Sequence, residues 1–179
     1  ILGGHYMDTS TDDLCGEMRK ALLAFAPNPN VLALRDFHAE NLIWRAGHKG
    51  TDRVGILDFQ DAFIAPAGYD LASLLRDARR DVPEAITQEI LAYFAKKSRI
   101  GDDIYASVAC LSVQRNLRII GVFARLAKEM KKPRYLAFMP RVWNHIIRDL
   151  EHPSLKRLKE VVIATVPSPT PAYLEGLKG

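Results

Sequence analysis

Apolar residues recur at helical spacing along most of the chain, and this periodicity gives the first indication of the fold. Four apolar residues between Leu14 and Phe25 predict a first helix, which a segment rich in proline and asparagine ends. From Asp70 onward the same spacing continues almost without interruption. It predicts five further helices, at residues 69–80, 83–98, 102–131, 134–150 and 154–162.

Three short apolar runs between the first two helices have a different pattern. VLAL (residues 31–34), LIW (42–44) and VGILDF (54–59) are too short for helices and are separated by polar loops, so they predict strands. The last two flank the turn RAGHKGTDR and predict a hairpin. The fold class predicted is therefore mainly α, with a small β-hairpin insertion that carries the polar loops.

Three oxygen-bearing side chains lie in and after the loop between the first two strands. Asp36 and Asn41 have the spacing D-x4-N, and Asp58 ends the returning strand, which would bring it close to Asn41. A carboxylate and an amide oxygen are ligands that Mg²⁺ accepts together with phosphates and water. A separate carboxylate can orient a hydroxyl and accept its proton during phosphoryl transfer. We predict that Asp36 is the catalytic base and that Asn41 and Asp58 bind metal; the alternative is ordinary turn residues.

The segments LRDFHAENL and GILDFQDA resemble the catalytic loop and the metal-binding segment of the aminoglycoside phosphotransferase-like, or choline-kinase-like, superfamily of small-molecule kinases. The form D-x-H-x-x-N is typical of that group. PAGYDLASLLRDAR resembles the next family segment, whose aspartate, here Asp70, joins a core helix to the catalytic loop. Within the superfamily, the chain looks most similar to the bacterial kinases that phosphorylate the anomeric hydroxyl of N-acetylmuramate or N-acetylglucosamine.

This resemblance implies the C-terminal lobe of a protein-kinase-like (α+β) fold and a cytoplasmic enzyme that uses ATP and Mg²⁺. Residues 1–164 would be a helical lobe carrying the catalytic loop (35–41) and the metal-binding segment (54–61), and residues 165–179 an extended, proline-rich tail. We expect the N-terminal ATP-binding lobe of the family to lie outside this sequence, and we therefore expect the chain alone to be inactive. We also expect the apolar surface left by that lobe to promote self-association.

Two positions depart from the family pattern. The family usually has histidine two residues before the catalytic aspartate, where this chain has Leu34, and Gln60 replaces a glycine that often follows D-F. The lost histidine is mainly a packing and hydrogen-bonding residue. We therefore expect phosphoryl transfer to persist without it.

Further polar residues are weaker candidates for substrate binding. His38 either contacts substrate or shapes the loop through an internal hydrogen bond, and Asp61 either assists the site or caps the strand exit. Arg115 and Asn116 interrupt an apolar helix and are candidate substrate contacts. The arginines within residues 76–80 face either solvent or an acidic group of the substrate.

Composition excludes several other classes of protein. The chain has 179 residues, a net charge of +4 and two cysteines, Cys15 and Cys110, which we expect to be reduced core thiols. Basic and acidic residues are interleaved, so no basic stripe for nucleic acid is predicted, and no apolar stretch is long enough for a membrane span. The remaining alternatives are an aminoglycoside or other metabolite as acceptor, or a catalytically silent relative that only binds.

Overall fold

The computed structural model describes residues 9–98 and 103–178. The helices there are α1 (Thr9–Phe25), α2 (Tyr69–Leu75), α3 (Glu84–Ser98), α4 (Asp103–Lys128), α5 (Met139–Asp149), α6 (Lys156–Thr165) and α7 (Pro171–Gly176). The strands are β1 (Pro29–Ala33), β2 (Leu42–Trp44), β3 (Val54–Ile56) and β4 (Phe63–Pro66). The prediction of a mainly helical fold with a small β part is confirmed. None of the helices in these ranges combines the length and the apolar character that crossing a membrane requires.

Helix α4 is the centre of the fold and packs against α1, α2, α3 and α5. Its apolar residues meet those of α5 and α6 in one buried cluster, in which Val113, Val142, Ile146 and Val162 are completely inaccessible to solvent. Burying a side chain of this size contributes about 1.5–3 kcal/mol. The cluster therefore fixes the helices, and with them the α4 side chains that do not face the core.

The strands form two separate antiparallel pairs. β2 pairs with β3, with Leu42 opposite Ile56, as the hairpin prediction required. β1 pairs instead with β4, which the sequence did not predict, and Leu32 lies opposite Ile64. The predicted strand 54–59 was three residues too long, because Asp58 has φ of +56°, which is outside the extended region.

Most residues of the small sheets are exposed or half-buried, and among the described strand residues only Ala33 and Ala65 are buried. Leu32 and Trp44 are 65% and 66% exposed, although apolar residues of this size are expected in a core. Cys110 is buried, as expected, whereas Cys15 is exposed on the solvent side of α1, contrary to the prediction.

Contacts with residues distant in sequence determine where helix α2 begins and ends. Gly68, with φ of +96°, precedes it, and a Cβ there would lie 2.8 Å from a methyl of Val108 on α4. Only glycine accepts both constraints, so α2 can approach α4 closely. The predicted helix 69–80 stops at Leu75, because the chain turns at Arg76 and the guanidinium of Arg76 enters the core to meet Asp149.

The tail was predicted to be extended, and the structure corrects this. Pro171–Gly176 forms the short helix α7. Thr170 caps it, since its hydroxyl accepts the N–H of Tyr173 at 3.2 Å, and Pro171 occupies the first turn, where its missing N–H costs nothing. Leu174 and Leu177 pack against the main core cluster, which the proline-rich composition alone did not indicate.

Candidate active site

Asp70 connects α2 to the loop that contains Asp36. Its carboxylate accepts the N–H of Leu34 at 2.7 Å and that of Arg35 at 3.2 Å. Arg35 has φ of +71°, a left-handed conformation that residues with long side chains rarely adopt, so it needs such support. Burial raises the pKa of Asp70, while the two N–H bonds act in the opposite direction. The predicted contact between helix and loop is thus present.

Asn41 connects the same loop to the segment after β3. Its backbone carbonyl oxygen accepts the N–H of Leu57 at 2.9 Å. Its amide nitrogen donates to the backbone oxygen of Asp36 at 2.9 Å and lies 3.5 Å from a carboxylate oxygen of Asp58. Hydrogen bonds therefore hold Asp36, Asn41 and Asp58 together, as expected if β2 and β3 form a hairpin.

The oxygen atoms of Asn41 and Asp58 suit a hard divalent cation. Asp58 is exposed, and one of its carboxylate oxygens accepts from Gln60 at 2.6 Å. Nothing in residues 9–98 or 103–178 donates to the amide oxygen of Asn41. Mg²⁺ takes one or two such protein oxygens and completes its shell with water and phosphate oxygens. These two residues therefore fit a magnesium–nucleotide complex. The same two ranges contain no group of three or more His, Cys, Asp or Glu arranged to hold a metal.

A cavity of about 460 Å³ opens beside these residues. The catalytic loop, the segment after α2 and one face of α4 contribute its walls. The lining residues are Arg35, Asp36, His38, Asn41, Asp58, Tyr69, Asp77, Ala78, Arg79, Arg115, Arg118, Ile119, Val122 and Phe123. A volume of this order accommodates a small organic molecule.

Helix α4 contributes both charge and apolar surface to the cavity. Arg115 and Arg118 lie three residues apart, and Ile119, Val122 and Phe123 continue the same wall. Burial lowers the pKa of Arg115, while Tyr69, Asp36 and Asp77 act against that shift. The group remains a cation at neutral pH.

Two residues after α2 belong to the cavity: Arg79, one of the arginines that the sequence offered as facing either solvent or the substrate, and Asp77, which sequence reasoning did not single out. Asp77 is 2% exposed, and one of its carboxylate oxygens accepts the N–H of Arg79. The guanidinium of Arg79 pairs with Glu40 at 3.1 Å and so joins this segment to the catalytic loop. The early end of α2 is what places these residues at the cavity, and that end depends on the contact of Arg76 with the core.

The weaker candidates are distributed unevenly. Arg115 and His38 line the cavity, and the Nδ1 atom of His38 is buried without a hydrogen-bond partner in the described part of the chain. Asp61 pairs with Arg35 at 3.0 Å and does not line the cavity. Asn116 is 1% exposed and donates to Ser112, so the structure places it in the core rather than at the site. Its helix position turns it away from the face that carries Arg115.

Comparison with known proteins shows the family of the chain. Residues 8–108 match the model of a family described as the phosphotransferase enzyme family. The chain belongs to that family. The matched segment contains Asp36, Asn41, Asp58 and Asp70. The resemblance inferred from the loop motifs is thereby confirmed at the level of the family.

Curated proteins that share one name are similar to most of the chain. A protein of Caulobacter vibrioides named N-acetylmuramate/N-acetylglucosamine kinase is 42% identical over 131 residues, covering 72% of this chain and 36% of its own length. Proteins with the same name from Neisseria meningitidis and Pseudomonas putida are 36% and 34% identical, over 67% and 75% of this chain. They are matched over 37% and 41% of their own lengths. The chain thus spans about two fifths of the length of these relatives.

Proposed function

We propose that the protein carrying this chain transfers the terminal phosphoryl group of ATP to the anomeric hydroxyl of an N-acetylated amino sugar. One observation carries the proposal: Asp36, Asn41 and Asp58 are joined by hydrogen bonds at the edge of a cavity of small-molecule size. The names of the relatives support N-acetylmuramate or N-acetylglucosamine as the acceptor. We expect the enzyme to be cytoplasmic, where ATP is available.

In this proposal each residue has a distinct task. Asp36 hydrogen-bonds the acceptor hydroxyl and takes its proton as that oxygen attacks the terminal phosphorus, while the bond from phosphorus to the bridging oxygen of ADP breaks. Asn41 and Asp58 hold Mg²⁺, which when bound would neutralise charge on the phosphates. Asp70 positions the loop through the N–H groups of Leu34 and Arg35. The rest of the full-length protein supplies the nucleotide-binding lobe.

An aminoglycoside acceptor is the second candidate, and the charge of the cavity argues against it. Four arginines and three aspartates line the cavity. Aminoglycosides are polycations, and a site that binds them benefits from an excess of carboxylates. The lining therefore favours a neutral or anionic acceptor.

The test is ATP consumption by the full-length protein with Mg²⁺ and each of three acceptors: N-acetylmuramate, N-acetylglucosamine and an aminoglycoside. We expect turnover of the two amino sugars and none by the 179-residue chain alone. Phosphorus NMR should show a sugar 1-phosphate, and methyl glycosides, which lack a free anomeric hydroxyl, should not react. Turnover of a methyl glycoside would contradict transfer to the anomeric hydroxyl.

The variant Asp36→Asn separates an enzyme from a silent relative. We expect kcat to fall by about 10²- to 10⁴-fold, because the neutral amide does not take the proton, while ATP still binds. Asp52→Asn, in the exposed turn between β2 and β3, is the matched control and should leave kcat unchanged. Equal rates for the wild type and Asp36→Asn would reject Asp36 as the base.

A further inference from the structure

The face of α4 that lines the cavity carries two arginines without a charged partner. Arg35 and Arg79, which also line the cavity, are paired with Asp61 and Glu40 at 3.0 and 3.1 Å. Arg115 and Arg118, by contrast, have no carboxylate oxygen within 4.0 Å anywhere in residues 9–98 and 103–178. Two neighbouring cations in one wall are therefore free to bind an anion.

Burial makes the charge of Arg115 costly when no anion is present, whereas Arg118 is exposed. Arg115 is partly buried, and burial lowers its pKa, which means that it has lost hydration without gaining an ion pair. The carboxylates of Asp36 and Asp77 act against this shift from a distance, since neither forms an ion pair with Arg115. Asp36 is reserved for the acceptor hydroxyl in the proposed mechanism. Asp77 accepts the N–H of Arg79 with one carboxylate oxygen, and its other oxygen is buried without a hydrogen-bond partner in the described residues and more than 4.0 Å from Arg115. An incoming anion would compensate the guanidinium.

The chemistry of the wall also limits what kind of anion fits. Guanidinium groups bind carboxylates through two parallel hydrogen bonds, a geometry that a flexible ammonium does not match. Ile119, Val122 and Phe123 continue the same wall with apolar surface. A ligand that carries a carboxylate on a partly apolar ring or ether would therefore contact both halves of the wall.

We propose that Arg115 and Arg118 bind a carboxylate of the acceptor and make the enzyme favour N-acetylmuramate over N-acetylglucosamine. The two sugars differ only in the lactyl ether on C3 of the ring, which is separated from the anomeric hydroxyl on C1 by the carbon that bears the N-acetyl group. The anomeric hydroxyl can then meet Asp36 while the lactyl carboxylate meets the arginines of α4. This inference rests on the proposed function, because it assumes an amino-sugar acceptor.

The experiment compares kcat/KM for the two sugars in the full-length protein and in its variants Arg115→Lys and Arg118→Ala. Loss of a charge-assisted hydrogen bond corresponds to about a 10- to 100-fold change. We expect kcat/KM for N-acetylmuramate to fall by that factor and kcat/KM for N-acetylglucosamine to fall much less, with the change mainly in KM. Arg125→Ala is the matched control, since Arg125 is on the same helix but pairs with Glu129 outside the cavity.

Two results would overturn the inference. An equal loss of kcat for both sugars would assign the arginines to the transferred phosphoryl group, which both reactions share. No change for either sugar would show that Arg115 and Arg118 do not bind the acceptor. Arg115→Lys retains the charge and most of the packing, and thermal unfolding of each variant identifies any loss that reflects misfolding.

Calorimetric titration of each sugar without ATP separates failure of the inference from failure of the proposed function. If the wild type turns over neither sugar, the proposed function is wrong, and the titration still tests the arginines. Tighter binding of N-acetylmuramate than of N-acetylglucosamine, abolished in Arg118→Ala, would support the inference. Equal binding of the two sugars by the wild type would reject it.

Discussion

The helical half of the molecule and the loop-and-strand segment of residues 29–66 are stabilised in different ways. The helical half buries a continuous apolar cluster, in which Ile146 and Val142 are 0% exposed. The loop-and-strand segment instead leaves Leu32 and Ile64, opposite each other in β1 and β4, at 65% and 57% exposure. Packing holds the first region, and specific hydrogen bonds hold the second.

The difference matters because the candidate catalytic groups are in the less buried region. Asp36 and Asn41 lie in a loop whose shape depends on the Asp70 carboxylate and on the Arg79–Glu40 pair. The positions of Asp36 and Asn41 therefore depend on contacts with α2 and with the segment after it. We infer that mutations in the helical half act mainly on global stability, and that mutations of the connecting residues act mainly on the loop.

The largest effect should come from the buried ion pair of the helical half. Arg76 and Asp149 meet at 2.9 Å with side chains 8% and 5% exposed, and Ser112 also donates to Asp149. Asp149→Asn keeps the shape but leaves Arg76 as an unpaired buried charge, so we expect the free energy of unfolding to fall by about 3–5 kcal/mol. Urea denaturation measures it.

The exposed Arg141–Asp81 pair provides the control for that prediction. It has similar geometry at 2.8 Å, but Asp81 is 73% exposed. Asp81→Asn should cost no more than about 1 kcal/mol, because water solvates both partners. Comparable losses for Asp149→Asn and Asp81→Asn would show that burial does not distinguish the two pairs.

A smaller and more local effect is expected at Asp70. In Asp70→Asn an NH₂ group replaces one acceptor, so the N–H of Leu34 or of Arg35 loses its partner, at a cost of about 1–3 kcal/mol. Amide exchange should quicken around residues 34–41 and stay unchanged in α5, and kcat should fall. Faster exchange throughout the helices instead would mean that Asp70 supports the whole fold.

A buried histidine of the helical half should make the free energy of unfolding depend on pH. Burial, and then the charge of Arg76, lower the pKa of His145 from its ordinary 6.5, with Asp77 and then Asp149 acting in the opposite direction. Below pH 6.5 the unfolded chain binds a proton that the folded chain does not, so stability falls as the pH falls, by at most about 1.4 kcal/mol per pH unit.

Replacement of that histidine tests the sign. His145→Gln should flatten the dependence of stability on pH below 6.5, whereas Asn144→Gln, at an exposed position of the same helix, should retain the wild-type slope. Thermal unfolding from pH 7 downward measures both. A slope unchanged by His145→Gln would assign the dependence to other groups.

The smallest effect on stability is expected in the exposed sheet. Leu32→Ser removes a side chain that is 65% exposed, so the free energy of unfolding of the 179-residue chain should change by less than about 0.5 kcal/mol. Leu155→Ala, at a position 1% exposed, should cost about 2–5 kcal/mol.

Light scattering should show less self-association for Leu32→Ser. A monomeric wild type at high concentration would contradict the expected self-association.

Sequence reasoning succeeded where the signal is local. Helical periodicity located α1, α3 and α4 to within a few residues, and the spacing of Asp36, Asn41 and Asp58 indicated a shared site. It failed for β4, for the end of α2 and for the helix in the tail. Each of those depends on a distant partner: β1 for β4, Asp149 for the turn at Arg76, and the core for Leu174.

The amino-acid sequence by itself determined the family, the mainly helical composition and the candidate catalytic residues, because short motifs and periodicity are properties of neighbouring positions. Only the tertiary structure decided which polar residues of α4 reach the cavity. Arg115 lines it, while the adjacent Asn116 is buried. Successive residues of a helix point about 100° apart, so the packing of α4 assigns one to the site and the other to the core.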